Sequence, residues 1–430
     1  MKGNKIHIRA FYALNLLLAA VMPFSARLTT WCVILMALNW VMEGNLLPKL
    51  KLSFRHPVTL LCISFYLLEV AGLLYTHHLR DGFYHAQNEA SFLAFPLLIC
   101  CYPRLPSGLI GRVFAVFSLS VLLTSLYCLS VGFVHYLHSG DSSYFFYHTL
   151  VAPVHQHAVY FSIYVFICIV WLFHSLKMRA PASRRRIMVI VLTYFGGLLF
   201  LLRAKILVAI CMIYFVYQLV KLLRGRPVVR GQVIFSQAMI VGICIALCTA
   251  NPLSRQFSKL RGSDLKVLRV QSFDPGDYFD EVELRLVLWK FTFEVLHESH
   301  SWLLGVSPGD ARYRINGKVR SERMYVGIPG TQDHGYLNYN VHNQYLETLL
   351  RSGLAGLTLL LLLLGLLEKE AIYRKDEILF FLVLSFAIVF LTESVLERQF
   401  GIVPFLYFIC LLVTGHQRSF THFPSANHNE

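Results

Sequence analysis

The stretch Tyr345–Leu367, YLETLLRSGLAGLTLLLLLLGLL, decides the fold. It is 23 residues long and mostly apolar, enough for a helix to cross the roughly 30 Å hydrocarbon core of a bilayer. In hydrocarbon each backbone N–H and C=O needs a partner within its own segment, so the block reads as a membrane-spanning helix. Working outward, eleven further apolar blocks follow the same reading: Ala10–Pro23, Leu28–Val41, Pro57–Tyr75, Ser91–Cys101, Val113–Tyr136, Ala158–Phe173, Ile187–Leu202, Ile206–Val220, Val233–Ala250, Ile378–Leu391 and Gly401–Val413. The fourth, Ser91–Cys101, is short. All are too uniformly apolar for barrel strands, whose residues alternate.

Composition agrees. Hydrophobic residues make up 56% and charged residues 15% of the 430, and the mean hydropathy is +0.56. These values exclude a soluble enzyme, a disordered chain and a secreted disulfide scaffold. The expected class is an all-α polytopic membrane protein with about twelve transmembrane helices and one large outer loop. Residues 1–250 carry helices one to nine, 251–344 the loop, 345–415 the last three helices, and 416–430 a short polar tail. The ten cysteines all lie in or beside apolar blocks, which offers neither a disulfide framework nor a zinc spacing. Lys2, Lys5 and Arg9 precede the first block as in a signal peptide, but no clear cleavage site follows, so this block is expected to be a retained helix.

The net charge of +15 takes its meaning from position rather than from nucleic acid. Loops on the side that holds the N-terminus carry 21 Lys and Arg, and the short loops opposite carry five: Arg27, Arg80, Arg203, Lys205 and Arg398. Basic residues are retained in the cytoplasm, so both termini are expected inside and Asn251–Val341 outside, which in a bacterium is the periplasm. The remaining 13 basic residues run from Arg255 to Arg351, in or just after that loop. They suit either a solvated surface or a polyanion site. Within the loop, Leu284, Leu288, Phe291 and Val295 recur at helical spacing, which predicts an amphipathic helix on the membrane face.

The strongest chemical signal sits where the loop enters Tyr345–Leu367. His342-Asn343 is followed after nine residues by Gly353 and after two more by Gly356. An imidazole at the outer start of a helix can take a proton from a sugar hydroxyl, and two glycines three apart let another helix approach closely. Read singly, His342 is equally an interfacial polar residue and the glycines ordinary packing. Arg203, between two apolar blocks, fits a phosphate ligand or a snorkelling side chain. Arg285, one turn before Trp289, fits a phosphate ligand or cation–π packing.

This pattern, His-Asn-x9-Gly-x-x-Gly, resembles the signature of bacterial O-antigen ligases, of the lipid A-core surface polymer ligase type. Two further elements are similar to that family. Arg203–Leu207, RAKIL, matches an Arg-x3-Leu at an outer helix junction; Arg285–Trp289, RLVLW, with Gly305–Gly309, GVSPG, matches an Arg-x3-Trp and Gly-rich segment of the periplasmic loop. The resemblance implies a glycosyltransferase-C-like bundle in the inner membrane that moves a glycan from undecaprenyl pyrophosphate to a sugar hydroxyl of lipid A-core. It implies inversion, and neither metal nor any other cofactor. It makes His342 the general base and Arg203 and Arg285 the pyrophosphate ligands, with Asn343, Gly353, Gly356 and Trp289 in support.

An O-antigen polymerase or a protein O-oligosaccharyltransferase would use the same carrier, and a lipid-linked glycan transporter would need no chemistry. Paired broken helices, common in transporters, are not evident. Other candidates read as structural. Asp274, Asp277 and Asp280 form a solvated turn, and His148, His155 and His157 an interfacial polar cluster rather than a metal site. Glu69, an intramembrane carboxylate within the third block, is by default a functional candidate, the alternative being a pair with a neighbouring helix. Arg312, Arg314, Arg320 and Arg323 are candidate phosphate contacts by charge alone.

Overall fold

The computed structural model describes residues 5–176, 181–224 and 264–415, and these are helical, with no strand among them. In chain order the first half holds α1 (Lys5–Val21), α2 (Ala26–Met42), α3 (Leu46–Phe54), α4 (Pro57–Ala71), α5 (Leu79–Glu89) and α6 (Ser91–Ile99). It continues with α7 (Leu109–Ser139), α8 (Tyr147–Val151), α9 (Ala158–Ser175), α10 (Ala182–Leu201) and α11 (Lys205–Leu223). After residue 264 come α12 (Glu281–Glu298), α13 (Ala311–Ser321), α14 (Gln344–Arg374), α15 (Glu377–Val389) and α16 (Gln399–Gly415). The block Val233–Ala250 and the tail from His416 lie outside the described residues.

Four helical segments are long and apolar enough to cross a membrane: Pro57–Leu74, Leu109–Ser139, Ala158–Ser175 and Gln344–Arg374. A fifth is reached if α2 and α3, bent by 118°, count as one span. The chain therefore has the make-up of a multi-pass membrane protein. The Ser91–Cys101 block forms only the nine-residue α6, about 14 Å at 1.5 Å per residue, which is too short to span.

Packing follows the apolar pattern. Every residue of α9 from Ala158 to Val170 is buried, as is every residue of α16 from Gly401 to Thr414, as suits helices that are apolar all round. Around them α1 packs on α2 and α7, α10 on α9, α6 on α4 and α16, and α14 on α4 and α15. Leu119, Leu123 and Leu126 of α7 stay exposed at helical spacing, a stripe suited to lipid contact.

The long loop builds a second core. Phe273, Phe279, Val287, Leu288, Phe291, Ile315, Val319 and Met324 cluster with Val341, Leu349 and Leu350. This corrects the expectation of a helix lying on the membrane face. Leu288, Phe291 and Val295 of α12 are buried, and Leu284 packs against them. Their stripe is consumed by protein contacts with α13, α14 and residues 264–268. Asp280 starts α12 with a capping box, accepting from the Val282 and Glu283 N–H groups at 2.8 and 2.9 Å. Asp310 pins the cap to the bundle: it accepts from the His77 and His78 N–H groups at 3.1 and 3.0 Å and lies 2.7 Å from His78 Nδ1.

The helix that opened the reading is broken. Gly353 has φ 63° and ψ −162°, so α14 kinks there. The segment 302–307 lies along the break. Leu354 and Ala355 N–H donate to the Trp302 and Leu303 carbonyls at 2.8 and 3.1 Å, and Val306 and Ser307 N–H to the Leu350 and Arg351 carbonyls at 2.8 and 3.1 Å. Backbone groups freed by the kink are thereby satisfied, as they must be near hydrocarbon. This corrects the reading of Gly353 and Gly356 as a seat for another helix. A Cβ on Gly353 would strike the Leu303 backbone, and one on Gly356 would strike Ser352 of its own helix. What approaches closely is a loop, through Gly305, whose own Cβ position is filled by the Arg351 carbonyl.

Candidate functional site

The kinked helix begins with the residue of interest. Asn343 caps α14 by accepting from the Leu346 N–H at 3.1 Å, and its amide donates to the Leu391 carbonyl at 3.1 Å. With the cap in place, His342 sits just outside the helix at φ 50°, a conformation that costs a non-glycine residue about 1 kcal/mol. Its neighbours hold it there. Trp289 donates its indole N–H to the Val341 carbonyl at 3.0 Å, Glu347 accepts from the Val341 N–H at 3.0 Å, and Asn340 accepts from the His342 N–H at 3.1 Å.

The side chains converge on a carboxylate that sequence reasoning did not single out. Glu393, between α15 and α16, places Oε2 3.5 Å from His342 Nδ1 and accepts from Arg285 Nη2 on Oε1 at 3.2 Å. The first distance is long for a closed hydrogen bond and within reach of an ion pair. Burial pushes the Glu393 carboxyl up, but His342, His157 and Arg285 beside it prevail and hold it below the usual carboxylate range. It is therefore an anion at neutral pH, paired with the Arg285 guanidinium. Arg285 also lies 3.8 Å from Glu281 Oε2, and its buried Nε has no hydrogen-bond partner among the described residues.

Arg203 follows the last turn of α10 at φ 48° and lays its guanidinium over the Phe146 ring at 4.0 Å. Arg203, Arg285, Glu281 and Glu393 line one cleft of about 110 Å³. His342 lines a neighbouring cavity of about 970 Å³ together with Arg27, Arg312, Arg398 and Asn340. The roles that the resemblance implies would require the imidazole and both guanidiniums to share one site. The two arginines do share a cleft, and His342 borders the adjoining space, joined to Arg285 through Glu393. Trp289 supports the backbone at His342.

Two histidines of the expected polar cluster lie behind this centre. The His148 and His157 rings are 4.0 Å apart, and His157 accepts from the Val159 N–H at 3.4 Å. Burial, then the charge of His148, pushes His157 down to about 4, and burial also lowers His148. No group of three or more His, Cys, Asp or Glu with metal-holding geometry occurs among the described residues.

A second cluster lies below the kink, and it gives Glu69 its partner on a neighbouring helix. Arg351 is buried, with Nη2 2.8 Å from both Glu69 Oε2 and Glu89 Oε1 and Nη1 3.9 Å from Glu397 Oε1; Ser352 donates to Glu69. Glu397 in turn accepts from Asn340 at 2.9 Å, so the network reaches the loop that carries His342. The signal for Glu393 and Glu397 was present in LTESVLERQF, where two carboxylates interrupt a short turn between apolar blocks. No protein-family model and no curated protein matches this chain.

Proposed function

We propose that the chain is a bacterial inner-membrane glycosyltransferase of the O-antigen ligase type, with a glycosyltransferase-C-like bundle of about twelve spans, both termini cytoplasmic and the site facing the periplasm. The donor is an undecaprenyl-pyrophosphate glycan and the acceptor a sugar hydroxyl of lipid A-core. The observation that supports the reading is the single buried carboxylate of Glu393 flanked by the His342 imidazole and the Arg285 guanidinium. An anion beside Nδ1 favours a proton on that nitrogen and leaves Nε2 with the lone pair.

In the proposed step Nε2 of His342 takes the proton of the acceptor hydroxyl while its oxygen bonds to the anomeric carbon of the donor. The bond from that carbon to the pyrophosphate oxygen breaks, and undecaprenyl pyrophosphate leaves with the electron pair. Attack on the face opposite the leaving group inverts the anomeric carbon. Arg203 and Arg285, which line the same cleft, meet the charge that develops on the pyrophosphate, which guanidinium groups pair well in a partly desolvated cleft. Arginine can fill the role a divalent cation would otherwise play, so activity is expected to survive a chelator.

The test is reconstitution of the purified protein in nanodiscs with carrier-linked glycan, lipid A-core and a chelator. A conjugate of glycan and lipid A-core is the expected product. Elongated carrier-linked glycan would instead assign a polymerase, and no product of either kind would sink the transferase reading.

A further inference from the structure

The larger cavity carries chemistry that neither the general base nor the pyrophosphate cleft explains. Its walls of about 970 Å³ bring together Arg27 at the start of α2, Arg312 at the start of α13 and Arg398 just before α16. These positions are far apart in sequence, and none of the three guanidiniums is within salt-bridge distance of a carboxylate among the described residues. The acid on the wall, Glu397, already accepts from Asn340 and faces Arg351. Three cations gathered around one polar space repel each other until an anion enters. Between them stand the Asn340 amide and the exposed rings of Tyr84 and Tyr339. Amides match sugar hydroxyls, and flat rings match the C–H faces of pyranoses.

The geometry points to an anionic-saccharide subsite in this cavity: the substrate that presents its hydroxyl to His342 carries a phosphate or carboxylate on a nearby sugar, held by Arg27, Arg312 and Arg398. The inference rests on the ligase reading only in naming that substrate the acceptor. The donor pyrophosphate is assigned to the cleft of Arg203 and Arg285, so an oxyanion in the larger cavity belongs to the second substrate. Guanidinium groups give paired N–H donors suited to either oxyanion.

The experiment measures binding to the full-length protein in nanodiscs by native mass spectrometry, with three probes: delipidated core oligosaccharide, the same after removal of phosphate, and the same after reduction of its carboxyl groups. The intact probe is expected to bind at least about ten-fold more tightly than one of the stripped forms, and the form that loses affinity identifies the oxyanion. Arg312→Gln and Arg398→Gln should each erase most of that preference. Arg269→Gln, exposed and outside the cavity wall, should retain it, and melting temperatures check that each variant is folded. Equal binding of all three probes to the wild type, or an undiminished preference in the Arg312→Gln/Arg398→Gln double variant, would overturn the inference. A rise in the donor KM alone in those variants would overturn the acceptor assignment. The binding measurement itself needs no donor and no turnover, so a failed ligase reaction with intact anion preference defeats only the ligase reading, and the converse defeats only this subsite.

Discussion

At the residue scale the chemistry depends on which nitrogen of His342 is free. Glu393 lies beside Nδ1, so the proposed base is Nε2, and His342→Ala should lower kcat by about 10²–10⁴-fold with membrane insertion and melting temperature retained. Glu393→Gln removes the charge that anchors both His342 and Arg285. It is expected to lower kcat by at least about ten-fold, with partial recovery in Glu393→Asp, as steady-state transfer assays would show. Wild-type turnover in either Ala or Gln variant removes that residue from the mechanism. His342, Arg203 and Arg285 were legible in the sequence because each sits in a spaced pattern. Glu393 was not, because a carboxylate in a short turn looks the same whether it meets water or an imidazole from another element.

His157 supplies a pH dependence of stability. Its folded value of about 4 lies below the ~6.5 of an unfolded histidine. Between these values the unfolded chain takes up a proton that the folded chain does not, so stability is full above about pH 6.5 and is lost as pH falls towards 4. The loss is on the order of 2 kcal/mol. The melting temperature of the detergent-solubilised protein should fall from pH 7 to pH 5, and His157→Asn, which can still cap α9, should flatten that slope. An unchanged slope would show that other groups carry it.

At the element scale the decisive feature is the break in α14. Gly353 occupies a backbone region open to glycine alone, and the Leu303 backbone fills the space a Cβ would need. Gly353→Ala should therefore destabilise by about 3 kcal/mol or more. Gly365, in the same helix with nothing within 4 Å of its Cβ position, should accept alanine neutrally or with a gain of up to about 1 kcal/mol. Thermal unfolding of the two variants distinguishes a required kink from a merely tolerated glycine. The apolar helices were readable from local pattern. The break was not, because a Gly-x-x-Gly pair reads as close helix packing until the loop that covers it is known. The stripe on α12 misled for a related reason: periodicity shows that a face is apolar, not whether lipid or protein covers it.

At the scale of the whole molecule, a strain that lacks this chain is expected to lose capped lipid A-core while it accumulates carrier-linked polymer, as read on a gel of its glycolipids. Short unpolymerised units on the carrier would transfer the chain to the polymerase reading. The cap enters this picture as part of the site. Arg285 and Trp289 of α12, Arg312 of α13 and His342 all come from the long segment before α14, whereas Arg203, Glu393 and Arg398 come from junctions between apolar helices.

What the sequence determined by itself was the all-helical class, the presence of helices long and apolar enough to cross a membrane, and a few polar residues in a spaced pattern. Those follow from local rules: hydrocarbon demands internally paired backbone, and apolar runs of sufficient length are rare outside membranes. Only the tertiary structure decided that Glu393 stands between His342 and Arg285, that α14 breaks where a loop seals it, that Arg351 gathers carboxylates from three other helices or turns, and that three distant arginines surround one cavity. These are meetings of residues from separate elements, and a chain read one window at a time holds no record of the distances between them.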